Sequence, residues 1–418
     1  MRFGFNSSTS AQHNRIEPEQ LRAFDAFTAL PADDLVMLAQ FFEVEKLRPG
    51  SFLFDVGADD TRDYLLLQGQ VDLVASDGRR TEIPASSSRA RQPLARLRPR
   101  KFAAEVVMPS VLLSIDHQQL ESLMQQIEVD EIRVFNMEDT KLSQYPFYLN
   151  MTADLSARRL RWHYPEDVGT GLKQRAQQTP DSALVALLIS DPLLAGRAIR
   201  CAQLTDPTIN GQGAVAEVLI ALTPDTLRHL IHAQPVGSFT HPTIEQAWHA
   251  HWNRALELAS MCRELSIQTQ IGQPEDIEIR VMWAELGSLV LLEYLDHEPS
   301  IAQDPAAIRA SLMACNCEAS QMIIREWKLG ELTEKIAASH PDHPPQQDLA
   351  DEVDLVIFVK MHRKLMGHLG VPSDWRSHAS VERTATGIEL TPQLSLQMLD
   401  SARARAAGLS RPWSQAAS

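Results

Sequence analysis

Six cations, Arg89, Arg91, Arg96, Arg98, Arg100 and Lys101, crowd into one short stretch of a chain that is otherwise acidic. Guanidinium groups at that density could hold an anionic nucleotide such as a cyclic dinucleotide, a nucleic acid or an acidic protein face. Phe102 is the one aromatic residue beside them, too little for the base stacking that single-strand binding uses. The plainer reading is a solvated loop, or an internal partner for the chain's own acidic surface. Other patterns carry less chemistry. Cys315-x-Cys317 lacks a second ligand pair at zinc spacing and sits in a helical stretch. His340-x-x-His343 lies in the Pro-rich turn HPDHPP and reads as a loop. Asp351-Glu352-x-Asp354 reads as negative charge suited to a helix N-terminus. There is no P-loop, G-x-S-x-G elbow or dinucleotide fingerprint.

The elements that must position these residues are bounded first by bulk properties. A chain of 418 residues is long for one core, so two or three domains are expected. Hydrophobic residues make up 44%, enough for substantial cores. The formal charge of -15, from 39 basic and 54 acidic residues, argues against nonspecific nucleic-acid binding as the main task. Four Cys in this length do not make a disulfide framework, and a reducing compartment fits. The start, MRFGFNSSTSAQHNR, has no apolar core of a signal peptide. Runs such as Ala183–Ile189 fall short of the about 20 residues that span a bilayer. A soluble, cytoplasmic protein is therefore expected.

Residues 1–17 are polar and expected to be disordered. Leu21, Phe24, Phe27 and Leu30 return at helical spacing, and Pro31 opens a second helix carrying Leu35, Leu38 and Phe42. Short β-type runs follow: Val44–Leu47, Phe52–Val56, Tyr64–Leu67, Val71–Ala75 and Val111–Ile115. Breakers Pro49-Gly50, Gly57, Gly69 and Asp77-Gly78 separate them. This texture predicts a small barrel or sandwich, followed by a helix over 118–128. Residues 131–167 read as a connector with a basic cluster, Arg158, Arg159 and Arg161. From 168 to 370 the pattern is helical. Asp191-Pro192 supplies an N-cap and a first-turn Pro, and Trp248, Trp252, Ala255, Ala259 and Cys262 share one helix face. Residues 371–418 read as a polar segment ending in a flexible tail, SARARAAGLSRPWSQAAS.

Leu47–Gly57 (LRPGSFLFDVG), Asp63–Val74 (DYLLLQGQVDLV) and Asp77-Gly78 resemble a cyclic-nucleotide-binding-like domain, here spanning residues 18–130. In that family a short helix opened by Gly-Glu meets the ligand phosphate with its backbone N–H groups. The Glu binds the ribose hydroxyl, and an Arg before a small Ser/Thr-Ala pair neutralises the phosphate. The span that should carry this cassette, Ala85–Val107, contains no Gly, and Lys101-Phe102 replaces the small pair. The resemblance implies a kept shell with a lost cassette. Arg98 and Arg100 are the candidate ligand-binding residues should a cyclic nucleotide bind.

Met282–Leu292 (MWAELGSLVLL) resembles the signature helix of HD-type phosphohydrolases, roughly L-L-H-D-I-G-K-L-V-L. Ala284-Glu285 replaces the His-Asp dyad and Ser288 the Lys. Ala284 has no lone pair to give a metal, and one carboxylate cannot hold a divalent ion against water. Ser190–Gln203 (SDPLLAGRAIRCAQ) and Met322–His340 (MIIREWKLGELTEKIAASH) resemble segments of the HDOD branch, HD-related output domains that serve bacterial signalling as non-catalytic interaction modules. Of an active enzyme's ligands, the positions His251, Glu285 and His340 keep donor atoms. They could meet in space, and they read as hydrogen-bonded remnants of a packed core.

The expectation is an α+β multidomain chain: an N-terminal β-roll of the cyclic-nucleotide-binding type, then an all-α HDOD-type domain over 168–370. The implied role is regulatory and non-catalytic, with no metal or cofactor. By the resemblance, its partners would be signalling proteins such as sensor kinases or cyclic-di-GMP enzymes, with no membrane or nucleic acid. The alternatives are a cyclic-nucleotide sensor acting through Arg100 and a divergent metal-dependent phosphohydrolase built on His251 and Glu285.

Overall fold

The computed structural model describes residues 16–129, 142–157, 159–206, 208–209, 215–339, 351–366, 397 and 400–407. The chain divides into two compact units, residues 1–130 and 131–418. No single helix among the described residues is long and apolar enough to cross a membrane.

The first unit opens with two 3-10 turns, Pro18–Ala23 and Asp25–Phe27, and then α1 (Ala32–Ala39). The sequence reading placed one helix over the first of these stretches. The spacing explains the difference: Leu21, Phe24, Phe27 and Leu30 recur every third residue, which matches three residues per turn rather than 3.6. Ile16, assigned to a disordered start, is buried; residues 1–15 lie outside the described residues. Seven strands follow: β1 (Glu43–Leu47), β2 (Phe52–Phe54), β3 (Arg62–Gln68), β4 (Gln70–Ala75), β5 (Arg80–Pro84), β6 (Phe102–Val106) and β7 (Ser110–Asp116). They form two antiparallel sheets, ordered β1-β7-β3 and β2-β6-β4-β5. Helix α2 (His117–Val129) closes the unit, as the sequence predicts.

The strand runs found in the sequence are all present; β5 and β6 are additions. In β5 only Ile83 is buried, because this edge strand pairs with β4 alone. In β6 the Ala103-Ala104 pair has weak strand propensity and follows the basic run, yet β6 sits between β2 and β4. Between β3 and β4 the chain reverses at Gly69, where φ is +93 and an added Cβ would lie 2.6 Å from the Pro109 carbonyl. Only Gly meets both demands there.

The second unit is helical: α3 (Pro146–Ser156), α4 (Glu166–Gln178), α5 (Leu184–Ile189), α6 (Pro192–Thr205), α7 (Val215–Ile220), α8 (Pro224–His232), α9 (Pro242–Thr269) and α10 (Pro274–Ala284). After these come α11 (Leu286–Leu295), α12 (Pro299–Ala302), α13 (Pro305–Glu326), α14 (Glu331–Ala338) and α15 (Asp351–Met366). Three expectations need correction. Part of the expected connector is helix α3, which buries Phe147, Met151 and Leu155 and packs on α11 and α13. A short parallel strand pair joins β8 (Tyr164–Pro165), in the expected connector, to β9 (Val236–Gly237), within the region read as all-helical. Residues 401–407, read as tail, are helical, and Arg405 chelates buried Glu278 of α10 at 2.6 and 2.5 Å. An Ala-Arg alternation carries little apolar signal of its own, so only the buried carboxylate reveals that docking.

Candidate functional site

In the first unit, the segment between β5 and β6 carries the basic run. Ser87 caps a 3-10 turn, Ser88–Arg91, by accepting a bond from the Ala90 amide. Ala90 and Leu94 then point inward and join Phe54, Tyr64, Leu66, Leu73 and Ala104 in the core between the two sheets. The Leu94 amide donates to the Tyr64 carbonyl at 2.8 Å, which pins the segment to β3.

The two candidate ligand arginines face the same way. Arg98 donates from Nε to the Asp60 carbonyl at 2.8 Å and from one terminal nitrogen to the Asp63 carboxylate at 2.8 Å. Arg100 has no exposed side-chain surface. It grips both carboxylate oxygens of Asp60 at 2.7 and 2.6 Å and donates to the Ala95 and Arg62 carbonyls. Its guanidinium lies 4.2 Å from the centre of the Phe54 ring. Hydrogen bonding from Arg100 holds the Asp60 carboxyl below its ordinary range. A bidentate Arg-carboxylate pair saturates the fork that a phosphate would use. In this arrangement Arg98 and Arg100 tie the basic segment to the loop before β3. Arg89, Arg91 and Arg96 are exposed instead.

In the second unit the segments carrying the HD-type resemblance pack into one core. Trp283 of α10 donates its indole N–H to the Pro192 carbonyl of α6 at 2.9 Å. Gln203 of α6 donates to the Lys328 carbonyl at 3.0 Å. Gly196 lets the Trp327 ring sit where a Cβ would be 2.8 Å away, so α6 and the end of α13 touch. The stretch Met282–Leu292 is not one helix. It breaks at Glu285, whose amide bonds three residues back to Met282, and α11 starts afresh. Gly287 then brings α11 against α13: its amide donates to Ser320 Oγ at 2.9 Å, and a Cβ there would lie 2.5 Å from the Ser320 nitrogen.

His251 on α9 and Glu285 do meet, Nε2 to Oε2 at 3.4 Å, with both side chains largely buried. The Asn316 amide approaches the same carboxylate oxygen at 3.5 Å. His340 and His343 lie outside the described residues. The Cys315 thiol is pushed up to about 12 by burial, and burial raises Cys317 as well, so neither is a ready thiolate ligand.

Two groupings were missed from the sequence. Asp191 caps α6 as expected, accepting from the Leu194 amide at 3.1 Å. The Tyr164 hydroxyl also lies 2.7 Å from both of its carboxylate oxygens, in full burial. Burial raises Asp191 to about 6 and Tyr164 well above its ordinary range. Tyr164 meets Trp248 and Trp252 edge-on, and those two rings stack at 5.0 Å. Tyr164 fell in the expected connector, so nothing marked it. Separately, Asp167 at the start of α4 joins Glu245 and His249, one turn apart on α9, with donor atoms within 4.8 Å of one another. The Glu-x-x-x-His spacing was the available signal; Asp167 comes from a remote stretch.

No protein-family model and no curated protein matches the sequence. Among solved structures, the neighbours of the N-terminal part are cyclic-nucleotide-binding-like domains. A cyclic-nucleotide-binding-like protein from Brucella abortus is 18% identical, covers 26% of this chain and 97% of its own, and has a TM-score of 0.21. The regulatory domain of Toxoplasma gondii PKA, solved with cAMP, is 15% identical, covers 31% and 49%, and scores 0.23. The MmoQ response regulator from Methylococcus capsulatus is 16% identical, covers 57% of this chain and 97% of its own, and scores 0.41.

Proposed function

We propose that this chain is a non-catalytic regulatory protein in which a degenerate cyclic-nucleotide-binding-like roll is coupled to an HDOD-type helical domain that acts by protein contact. The observation that carries this reading is the pair Ala284-Glu285 at the dyad position. Ala284 offers no donor atom, and the Glu285 carboxylate already faces His251 and the Asn316 amide. The packing of α6, α10, α11 and the α13–α14 junction through the three resembling segments supports the same assignment. Its partners are signalling proteins, with sensor kinases and cyclic-di-GMP enzymes the classes that the family resemblance favours. Regulation of this kind requires an input that favours one of two arrangements by differential affinity.

The test is a hydrolysis assay on the full chain with cAMP, cGMP, cyclic-di-GMP and a phosphodiester dye, each with Mn, Fe or Mg. No turnover above the metal-only background is expected. Turnover that disappears in both His251→Ala and Glu285→Ala would overturn the reading in favour of a phosphohydrolase. A thermal-shift series with the same nucleotides addresses the sensor alternative. A ligand at about 100 times its dissociation constant adds about 2.7 kcal/mol to the unit that binds it. No shift that depends on Arg98 or Arg100 is expected, because both are paired within the roll.

A further inference from the structure

We infer that the first unit carries a small-molecule site outside the β-roll interior, suited to a compact organic anion with an apolar or aromatic body. The site is a cavity of about 330 Å³ bounded by the second 3-10 turn, β3, the basic segment and α2. That volume is at the lower end of the range for ligand pockets, about 300–1,000 Å³. Its floor is apolar, made by the buried side chains of Phe24, Phe27 and Leu65, and Leu120 of α2 forms one wall. Arg91 and Arg96 line it from the basic segment.

The two halves of the basic run differ in one respect. Arg98 and Arg100 are consumed by Asp60, Asp63 and backbone carbonyls. The side chains of Arg91 and Arg96 have no hydrogen bond or ion pair among the described residues, and both are exposed. Asp25 and Gln92, 3.5 Å apart, are the other polar groups on the wall. The Asp25 carboxylate repels an anion at its own side and so orients the charged end toward the two arginines. Apolar surface with a few placed polar groups is the usual composition of a small-ligand site. The site does not depend on the role proposed for the helical unit, and it would supply the input that role needs.

The test uses fluorescence titration of the full chain with two probes: 8-anilinonaphthalene-1-sulfonate and its uncharged relative N-phenyl-1-naphthylamine. One-to-one saturable binding of the sulfonate is expected. The double variant Arg91→Ala/Arg96→Ala is expected to weaken the sulfonate by about tenfold or more, the loss of charge-assisted bonds, while the neutral probe changes by less than about twofold. Leu120→Trp, which fills the cavity from a half-exposed wall, is expected to weaken both probes. Far-UV circular dichroism and the thermal midpoint check that each variant keeps its fold. Sulfonate binding that is unsaturable, unchanged in the double variant, or reduced there equally for both probes overturns the inference.

Discussion

Arg100 in the β-roll and His251 in the helical unit are the positions at which the sequence resemblances would put chemistry, and their surroundings differ sharply. Around Arg100, a carboxylate and the carbonyls of Arg62, Leu94 and Ala95 meet the guanidinium, and Phe54 covers its face. Around His251, one carboxylate oxygen stands 3.4 Å from Nε2, which has no hydrogen-bond partner among the described residues. The buried Trp252 indole nitrogen next to it is likewise without a partner among them. A saturated buried charge contributes to the fold and resists reuse, because displacing its partner means desolvating two groups again. In the first unit a candidate ligand arginine serves as a structural tie, while in the second a histidine and a carboxylate face each other inside the helical core.

The largest expected effect sharpens the roll side of this contrast. Arg100→Ala leaves Asp60 without its partner and empties the face of Phe54; because the Asp60 side chain is 28% exposed and can rehydrate, the cost is about 3 kcal/mol, the low end for breaking a buried pair. All seven Trp lie beyond residue 130, so tryptophan fluorescence follows the helical unit alone. In urea, far-UV circular dichroism is expected to show an earlier strand-rich transition while the fluorescence midpoint stays fixed. If Arg100→Ala leaves both transitions in place, Arg100 is not the structural tie described here.

The next effect is a pH dependence confined to the helical unit. Asp191 is raised by burial from an ordinary 3.8 to about 6, so the folded state holds its proton more tightly than the unfolded chain does. Its stabilising contribution is fully present below about 3.8 and is lost as pH rises through about 6, a span worth roughly 3 kcal/mol at most. The fluorescence-detected urea midpoint is expected to fall across that window. In Asp191→Asn, which keeps an oxygen for the Leu194 amide, the dependence flattens; an unchanged slope would assign it to other groups.

Two smaller effects probe how tightly the helical unit is assembled. Gly287→Ala places a Cβ 2.5 Å from the Ser320 nitrogen and 2.6 Å from the Asn316 carbonyl, so α11 and α13 must separate, at about 1–3 kcal/mol. The fluorescence midpoint should drop while the strand-rich transition stays; a neutral result would mean that this contact is plastic. Arg405→Ala breaks the chelate on Glu278 and costs about 1 kcal/mol, since Arg405 is partly exposed. Its readout is faster amide exchange or proteolysis within residues 400–407, with little change in either midpoint.

Much of the strand and helix content was legible because burial on one face imposes a period on the sequence. The face Trp248, Trp252, Ala255, Ala259, Cys262 is buried throughout, and each of the five strand runs coincides with a strand, Phe52–Val56 running two residues past β2. What misled was local too: a three-residue repeat reads as helical spacing, and an edge strand rich in charge gives no strand signal. For the site, the resemblances imply a missing cassette glycine and a missing His-Asp dyad. It could not show where the remaining charges point.

The sequence by itself determined a β-rich first part, a helical second part and which side chains carry donor atoms. Those follow from periodicity, breakers and the presence or absence of donor atoms, which are properties of neighbours along the chain. Only the tertiary structure decided that Arg100 faces Asp60 and not solvent, that Tyr164 meets Asp191, and that Asp167 joins Glu245 and His249. Each of those pairs joins residues far apart along the chain, and such contacts form only when packing brings two elements within hydrogen-bond reach. The free arginines beside the cavity have the same origin, because a partner for a charge is fixed by space and not by spacing.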